Sequence, residues 1–173
     1  MGQDRKRVLF DARTIGERVQ QLGKEISAKY PQGNLLFVGI LKGSFMFMAD
    51  LVRCLDVSCE VDFVRISTYG SETVSSGELK VIMDVSTPIE GRDVILVDDI
   101  VDTGLTLAAY REMLLGRSPR SLEVAALIDK TERREKSVQV DYCGFRVPGG
   151  FIIGYGLDCN EQGRQHAGLY VLE

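Results

Sequence analysis

Apolar positions along the chain alternate between two rhythms, and the alternation itself predicts the elements. Thr14 followed by Glu17 reads as a capping box, and Ile15, Val19, Leu22 and Ile26 then fall on one helical face, which predicts a helix over about 14–30 ending before Pro31 and Gly33. Leu35 to Leu41 is apolar without alternation, the pattern of a central parallel strand covered on both faces. A turn at Lys42-Gly43-Ser44 leads into a second helix over about 45–55. Val61 to Ser67 alternates as a strand with one polar face, and a polar, glycine-flanked loop from Tyr69 to Glu78 precedes a short strand near Lys80 to Asp84. A strand over 93–98, a Gly/Thr turn and a helix over 105–115 follow, with Gly116 as the residue just past the helix and Pro119 beyond it. Leu122 to Ile128 is another buried strand and delivers Asp129-Lys130 to its end. Val138–Phe145, Phe151–Tyr155 and Leu169–Leu172 are the remaining strand candidates. Strands alternating with helices predict an α/β fold with a mostly parallel sheet, whose ligands bind outside the carboxyl ends of the strands.

Composition narrows the setting. At 173 residues, the chain is long enough for one well-buried core and is read as a single domain over 1–173. A hydrophobic share of 45% without a membrane-length apolar run points to a cytoplasmic protein with no membrane partner, and a net charge of −4 disfavours nucleic acid. The basic start, Arg5-Lys6-Arg7, leads into no signal-peptide core, and Gly2 lacks the Ser/Thr at position 6 that lipidation prefers. Cys54, Cys59, Cys143 and Cys159 form no Cys-x-x-Cys pair and read as free thiols. His166 is the one histidine, read as a surface or edge residue, so histidine triads and zinc centres give way to carboxylates, lysine, arginine and metal.

The chemistry concentrates in Val94 to Leu107, where an apolar strand runs into Asp98-Asp99, then Asp102-Thr103-Gly104 and the start of a helix. Backbone N–H groups and Thr hydroxyls at a helix N-terminus hold a phosphate monoester. Asp98 and Asp99 would repel one and suit instead the hydroxyls of a sugar or a divalent cation. The ligand read from this pair of features is a sugar phosphate. No Gly-x-x-x-x-Gly-Lys-Ser/Thr occurs, and Gly154-Tyr155-Gly156-Leu157-Asp158-Cys159 misses a dinucleotide fingerprint because Cys159 stands at the third glycine and no helix pattern follows.

The stretch resembles the 5-phosphoribosyl-1-pyrophosphate (PRPP) motif of the type I phosphoribosyltransferases, and further motifs in the same order extend the resemblance to the short bacterial hypoxanthine-guanine branch. That resemblance implies a central mostly parallel sheet flanked by helices, a small hood over about 145–173 and a mobile lid over about 69–79. It makes Lys42-Gly43 the pyrophosphate loop, with a cis Lys42–Gly43 peptide, and Thr68-Tyr69 the start of the lid. It places Asp98 and Asp99 on the ribose hydroxyls, directly or through Mg²⁺, and Thr103, Gly104, Leu105 and Thr106 around the 5′-phosphate. Asp102 becomes the acid beside N7 of the purine, and Lys130 the donor to the exocyclic O6. Phe151 stacks on the base, and the backbone of Ile152 reads its edge. Asp158 lies by the purine as a Mg²⁺ ligand on the pyrophosphate side, and Arg164 contacts pyrophosphate. The chain departs from the family pattern at Cys159 and at Gln162-Gly163, where aromatics are usual.

The implied function is purine salvage with Mg²⁺ as cofactor: transfer of the phosphoribosyl group from PRPP to hypoxanthine or guanine, giving IMP or GMP and pyrophosphate, by a homodimer or homotetramer. Two alternatives stay open from sequence: a xanthine/guanine-preferring relative, and a nucleotide-sensing RNA-binding regulator on the same fold. The acidic charge and the intact Asp102, Lys130 and Asp158 speak against the regulator.

Overall fold

The computed structural model describes residues 6–71 and 74–173, with the side chains of 68–78 outside the description. Its larger sheet has six strands in the order β4-β3-β2-β5-β6-β7: β2 (Leu35–Leu41), β3 (Cys59–Ser71), β4 (Val74–Met83), β5 (Asp93–Val101), β6 (Ser121–Lys130) and β7 (Tyr142–Val147). Every neighbouring pair is parallel except β3 with β4. Helices α1 (Ala12–Lys29) and α2 (Phe45–Arg53) pack on one face and α3 (Leu105–Leu115) on the other. A second, antiparallel sheet joins β1 (Lys6–Phe10), β9 (Leu169–Leu172) and β8 (Phe151–Ile153), so both ends of the described chain build it.

The continuous apolar runs explain the layering. Successive side chains of a strand point to opposite faces, and here both faces are dry. Leu35, Phe37, Ile95, Val97, Ala125 and Leu127 join the core under α1 and α2. Their neighbours Leu36, Val38, Val94, Leu96, Val124 and Ala126 join the core under α3. A sheet buried this way presents no polar edge along its faces, and the polar chemistry is left to the strand ends.

Several boundaries differ from the expectations, each for a local reason. The first helix is capped by Asp11, whose carboxylate accepts the Thr14 N–H at 2.8 Å, while Glu17 turns to Arg13 instead of back to Thr14. Gly116 keeps a right-handed conformation (φ −62°), and the left-handed residue is Ser118 (φ 57°). The strand expected from Val138 begins only at Tyr142, because Asp141 bends across to take the Val124 N–H. The polar segment expected as a loop runs as the end of the β3–β4 hairpin, with Gly70 opposite Ser75 and Ser71 opposite Val74. Backbone pairing needs no apolar side chain at a sheet edge. The lid residues Thr68 and Tyr69 lie, as side chains, outside the described residues. The non-proline cis peptide is Leu41–Lys42, one residue before the expected Lys42–Gly43. Among the described residues no helix is long and apolar enough to cross a membrane, and all four cysteines are free, half-buried thiols.

Candidate active site

The carboxyl ends of β2, β5 and β6 lie side by side, and the loops leaving them carry the candidate residues. From β2 the chain turns through Lys42-Gly43 into α2, held by the Ser44 hydroxyl on Ile40 O (2.6 Å). This turn lies against β5: a Cβ on Gly43 would stand 1.7 Å from an Asp99 carboxylate oxygen, so a side chain there would push the Asp99 carboxylate aside. Asp98 and Asp99 are adjacent carboxylates in a half-buried strand end. Burial, and then the charge of Asp99, pushes the Asp98 carboxyl well above its ordinary range. Burial raises Asp99 as well, opposed in part by hydrogen bonding with Asp98 and with the Asp99 and Ile100 N–H groups, and least by the positive charge of Arg164.

Beyond β5, Asp98, Asp102, Thr103, Gly104 and Thr106 line a concavity of about 140 Å³ at the start of α3. Gly104 caps this helix with φ +80° and offers no side chain to it, and the Leu105 N–H donates to Thr103 Oγ1 at 3.4 Å. A Cβ there would meet Lys136 O at 2.4 Å. The Thr103 carbonyl accepts the N–H groups of Glu135 and Lys136, both at 2.9 Å, which ties the turn to the loop after β6.

Lys130 ends β6 and is only 7% exposed. It is therefore a buried strand-end residue and not part of the charged surface loop that follows it. Its ammonium donates to Asp102 Oδ2 at 3.1 Å and to Gly150 O at 3.3 Å. Among the described residues, Asp102 Oδ1 is buried and has no hydrogen-bond partner. Next to Gly150, Phe151 begins β8 and is 54% exposed, while Ile152 is buried. A large apolar ring left open beside a buried ammonium and a carboxylate makes one wall of a site for a flat polar heterocycle.

A second cluster faces the Lys42 turn. Arg164 reaches Asp158 Oδ1 (2.7 Å), Glu161 Oε2 (3.2 Å) and Gly156 O (2.8 Å), and Lys42 Nζ also reaches Glu161 Oε2 (3.0 Å). Lys42 and then Arg164 hold the Glu161 carboxyl below its ordinary range. The sequence reading missed Glu161, because an acid three residues after Asp158 in a turn looks like a solvated charge; the positive φ at Asn160 and Glu161 aims it back at Lys42. It also missed Arg134, which lay in the Asp129–Lys136 charge run. His166 stands apart from these groups, half-buried, with Lys6 Nζ 3.0 Å from its Nε2 and Tyr170 against its ring edge.

For a hard divalent cation, the donor set suits Asp98 and Asp99, adjacent carboxylates whose burial raises both above their ordinary range. Asp158 is committed differently, with one oxygen on Arg164 and the other accepting the Glu161 N–H at 2.8 Å. Among the described residues no group of three or more potential ligand side chains converges.

Comparison with known proteins agrees with this geometry. A family model described as a phosphoribosyl transferase domain matches residues 8–160. The chain is 40% identical over 173 residues to the hypoxanthine-guanine phosphoribosyltransferase of Bacillus subtilis (strain 168), covering 100% of this chain and 96% of that protein. It is 48% identical over 164 residues to that of Dictyostelium discoideum, covering 92% and 91%. The crystal structure of a hypoxanthine phosphoribosyltransferase from Staphylococcus aureus superposes with a TM-score of 0.94 at 38% identity, covering 98% of this chain and 92% of that one. With this sheet order, these strand-end acids and these relatives, the chain belongs to the phosphoribosyl transferase family, in its hypoxanthine-guanine branch, whose members transfer the phosphoribosyl group of PRPP to a purine in salvage.

Proposed function

We propose that three neighbouring parts of this site divide the work of phosphoribosyl transfer to hypoxanthine or guanine. The backbone of Thr103–Thr106, with Leu105 giving its N–H alone, holds the 5′-phosphate at the α3 N-terminus. Asp98 and Asp99 hold the ribose hydroxyls. Lys42, the Gly43 N–H and Arg164 receive pyrophosphate, the leaving group, once Lys42 and Arg164 have let go of Glu161. Phe151 stacks on the purine, the Ile152 backbone meets its edge, and Asp102 takes the proton from N7 as C1′ passes through an oxocarbenium-like state. Asp98 and Asp99 would hold Mg²⁺, with Asp158 on the pyrophosphate side once it is released from Arg164, and the ion would supply positive charge against the departing diphosphate. The single domain over 1–173, the lid role of 69–79, the hood role of 145–173, the cytoplasmic location and the homodimer or homotetramer belong to the same proposal.

One observation carries the base assignment. An ammonium has three donors, and Lys130 spends two of them on Asp102 and Gly150. The third fits a 6-oxo purine and meets only hydrogens on the amino group of adenine. Lys130→Gln, which accepts as well as donates, is expected to lower kcat/KM with hypoxanthine and to shrink the hypoxanthine-over-adenine ratio, which such sites can hold near 10⁴. A variant with the native rate and ratio would remove Lys130 from base choice. In Asp158→Asn, the Mg²⁺ concentration for half activity is expected to rise, and an unchanged titration would remove that role.

A further inference from the structure

The sheet's hydrogen-bonded register between β5 and β6 ends at Val101 opposite Asp129. Asp102 and Lys130, the next residue on each strand, are the two whose meeting the base site requires, and no ladder bond aligns them. Arg134 does. Its Nε donates to Asp102 O (2.9 Å), and its Nη2 donates to Val101 O (2.9 Å), Lys130 O (3.0 Å) and Asp129 Oδ1 (2.5 Å). One planar fork thus gathers carbonyls from the ends of both strands, and Asp129 anchors its charge. Although Arg134 follows a β6 end inside a run of charges, its side chain is only 19% exposed. Its neighbour Arg133 is 67% exposed and only approaches Asp102 at 3.7 Å.

We infer that Arg134 is a positioning residue of the transfer reaction: it continues the β5–β6 register past the last ladder bond and so sets the Asp102–Lys130 geometry that reads the purine. Lysine cannot replace it, since a point charge on a flexible stem cannot span carbonyls of two strands at once. The fork grips the Asp102 carbonyl where the phosphate turn begins, but it spans both strand ends and so bears most directly on the base side. The phosphate turn is held separately, by the backbone N–H groups of Glu135 and Lys136 on Thr103 O. A loss of Arg134 should therefore separate the kinetic constants instead of lowering all of them together.

The inference rests on the roles proposed for Asp102 and Lys130, so Asp102→Asn and Lys130→Gln are measured beside the Arg134 variants. The experiment is steady-state kinetics of the full chain with Mg²⁺, PRPP and either hypoxanthine or adenine, with thermal melting of each variant. Arg134→Lys is expected to lower kcat/KM for hypoxanthine by roughly 10- to 100-fold, as misplacement of about an ångström does. The PRPP KM should stay within about twofold, and the hypoxanthine-over-adenine ratio should shrink by about tenfold or more. Combined with Lys130→Gln it should shrink the ratio no further than Lys130→Gln alone, as expected for residues acting as one unit. Asp129→Asn, which keeps the three carbonyl bonds but removes the ionic anchor, should show the same pattern more weakly. Arg146→Gln, which removes the exposed partner of Asp129 at 3.6 Å, should change nothing. Native constants in Arg134→Lys overturn the inference. So does a loss that raises both KM values alike and adds to Lys130→Gln, because that is the behaviour of a residue that only props the fold. If Arg134→Lys does not fold, native constants in Asp129→Asn overturn it. If Asp102→Asn and Lys130→Gln keep native rate and ratio while Arg134→Lys loses both, the roles of that pair have failed, and the inference falls with them.

Discussion

Replacing Asp98 with asparagine should make the ligand-free protein more stable and the enzyme worse. The half-buried carboxylates of Asp98 and Asp99 are neighbours, and burial followed by the Asp99 charge pushes Asp98 well above its ordinary 3.8. Asp98 Oδ1 accepts the Asp99 N–H at 3.0 Å, and an asparagine amide oxygen can accept the same N–H, so the substitution removes charge without orphaning that donor. Relief of this kind at a strained site contributes about 1–2 kcal/mol, which for a chain of this length raises Tm by roughly 2–8 °C. The sign with pH follows from linkage. A carboxyl whose folded-state pKa is raised contributes stability that is fully present below the unfolded value of 3.8 and lost as pH rises through the folded value. The advantage of Asp98→Asn is therefore greatest at neutral pH and narrows toward pH 3.8. Differential scanning calorimetry from about pH 4 to about pH 8 reads this directly, since that span covers the rise from the unfolded value. A second scan with Mg²⁺ and PRPP should reverse the order, since the native pair gains from the ligands and the variant gains much less. If Asp98→Asn melts no higher than the native chain at neutral pH, or keeps a constant advantage as the pH falls, the paired charges are not what strains this end of β5.

The remaining expectations address the other parts of the site and its support. Asp102→Asn should lower kcat by roughly 10²- to 10⁴-fold with little change in the PRPP KM; a loss below about threefold would reduce Asp102 to a turn residue. Gly104→Ala places a Cβ 2.4 Å from Lys136 O at φ +80°, costing about 1–2 kcal/mol in conformation alone, and should raise the PRPP KM more than the purine KM in a two-substrate kinetic matrix. Asp62 opposes its burial by accepting the N–H groups of Thr87, Phe63 and Ser86, which bring its carboxyl to about 2. Asp62→Asn should therefore lose up to about 2 kcal/mol in urea unfolding at neutral pH. That gap is present above pH 3.8 and closes as pH falls through about 2, and a gap that persists there would refute the assignment.

What the sequence made legible is what neighbours in sequence decide. Strand β2, helix α3 and the acid–glycine–threonine turn between β5 and α3 were read closely because an apolar run, a glycine and a helix start are local events. The elements that escaped depend on distant partners. Strand β1 is short, begins with Lys6-Arg7 and becomes a strand by pairing with β9 at the other end of the chain. Arg134 and Glu161 look like solvated charges until the fold brings carbonyls of two strands to one and Lys42 to the other. The cap of α1 went to Asp11 instead of Thr14, a choice between two good capping residues three positions apart that only the geometry of the chain entering the helix decides.

The pairing of β1 with β9 and of β9 with β8 has a consequence for the order in which the protein is made. The phosphate turn draws on β5, α3, β6 and the loop after it, a stretch that leaves the ribosome together. Phe151 and Ile152 sit on β8, whose sheet stays incomplete until Leu172 has been synthesised and has found Lys6. Closing that pair spans almost the whole chain, the slowest kind of contact to form. The nascent protein therefore has the turn between β5 and α3 in hand before the sheet that carries Phe151 and Ile152, and a chain halted before Leu172 leaves β8 without its β9 partner.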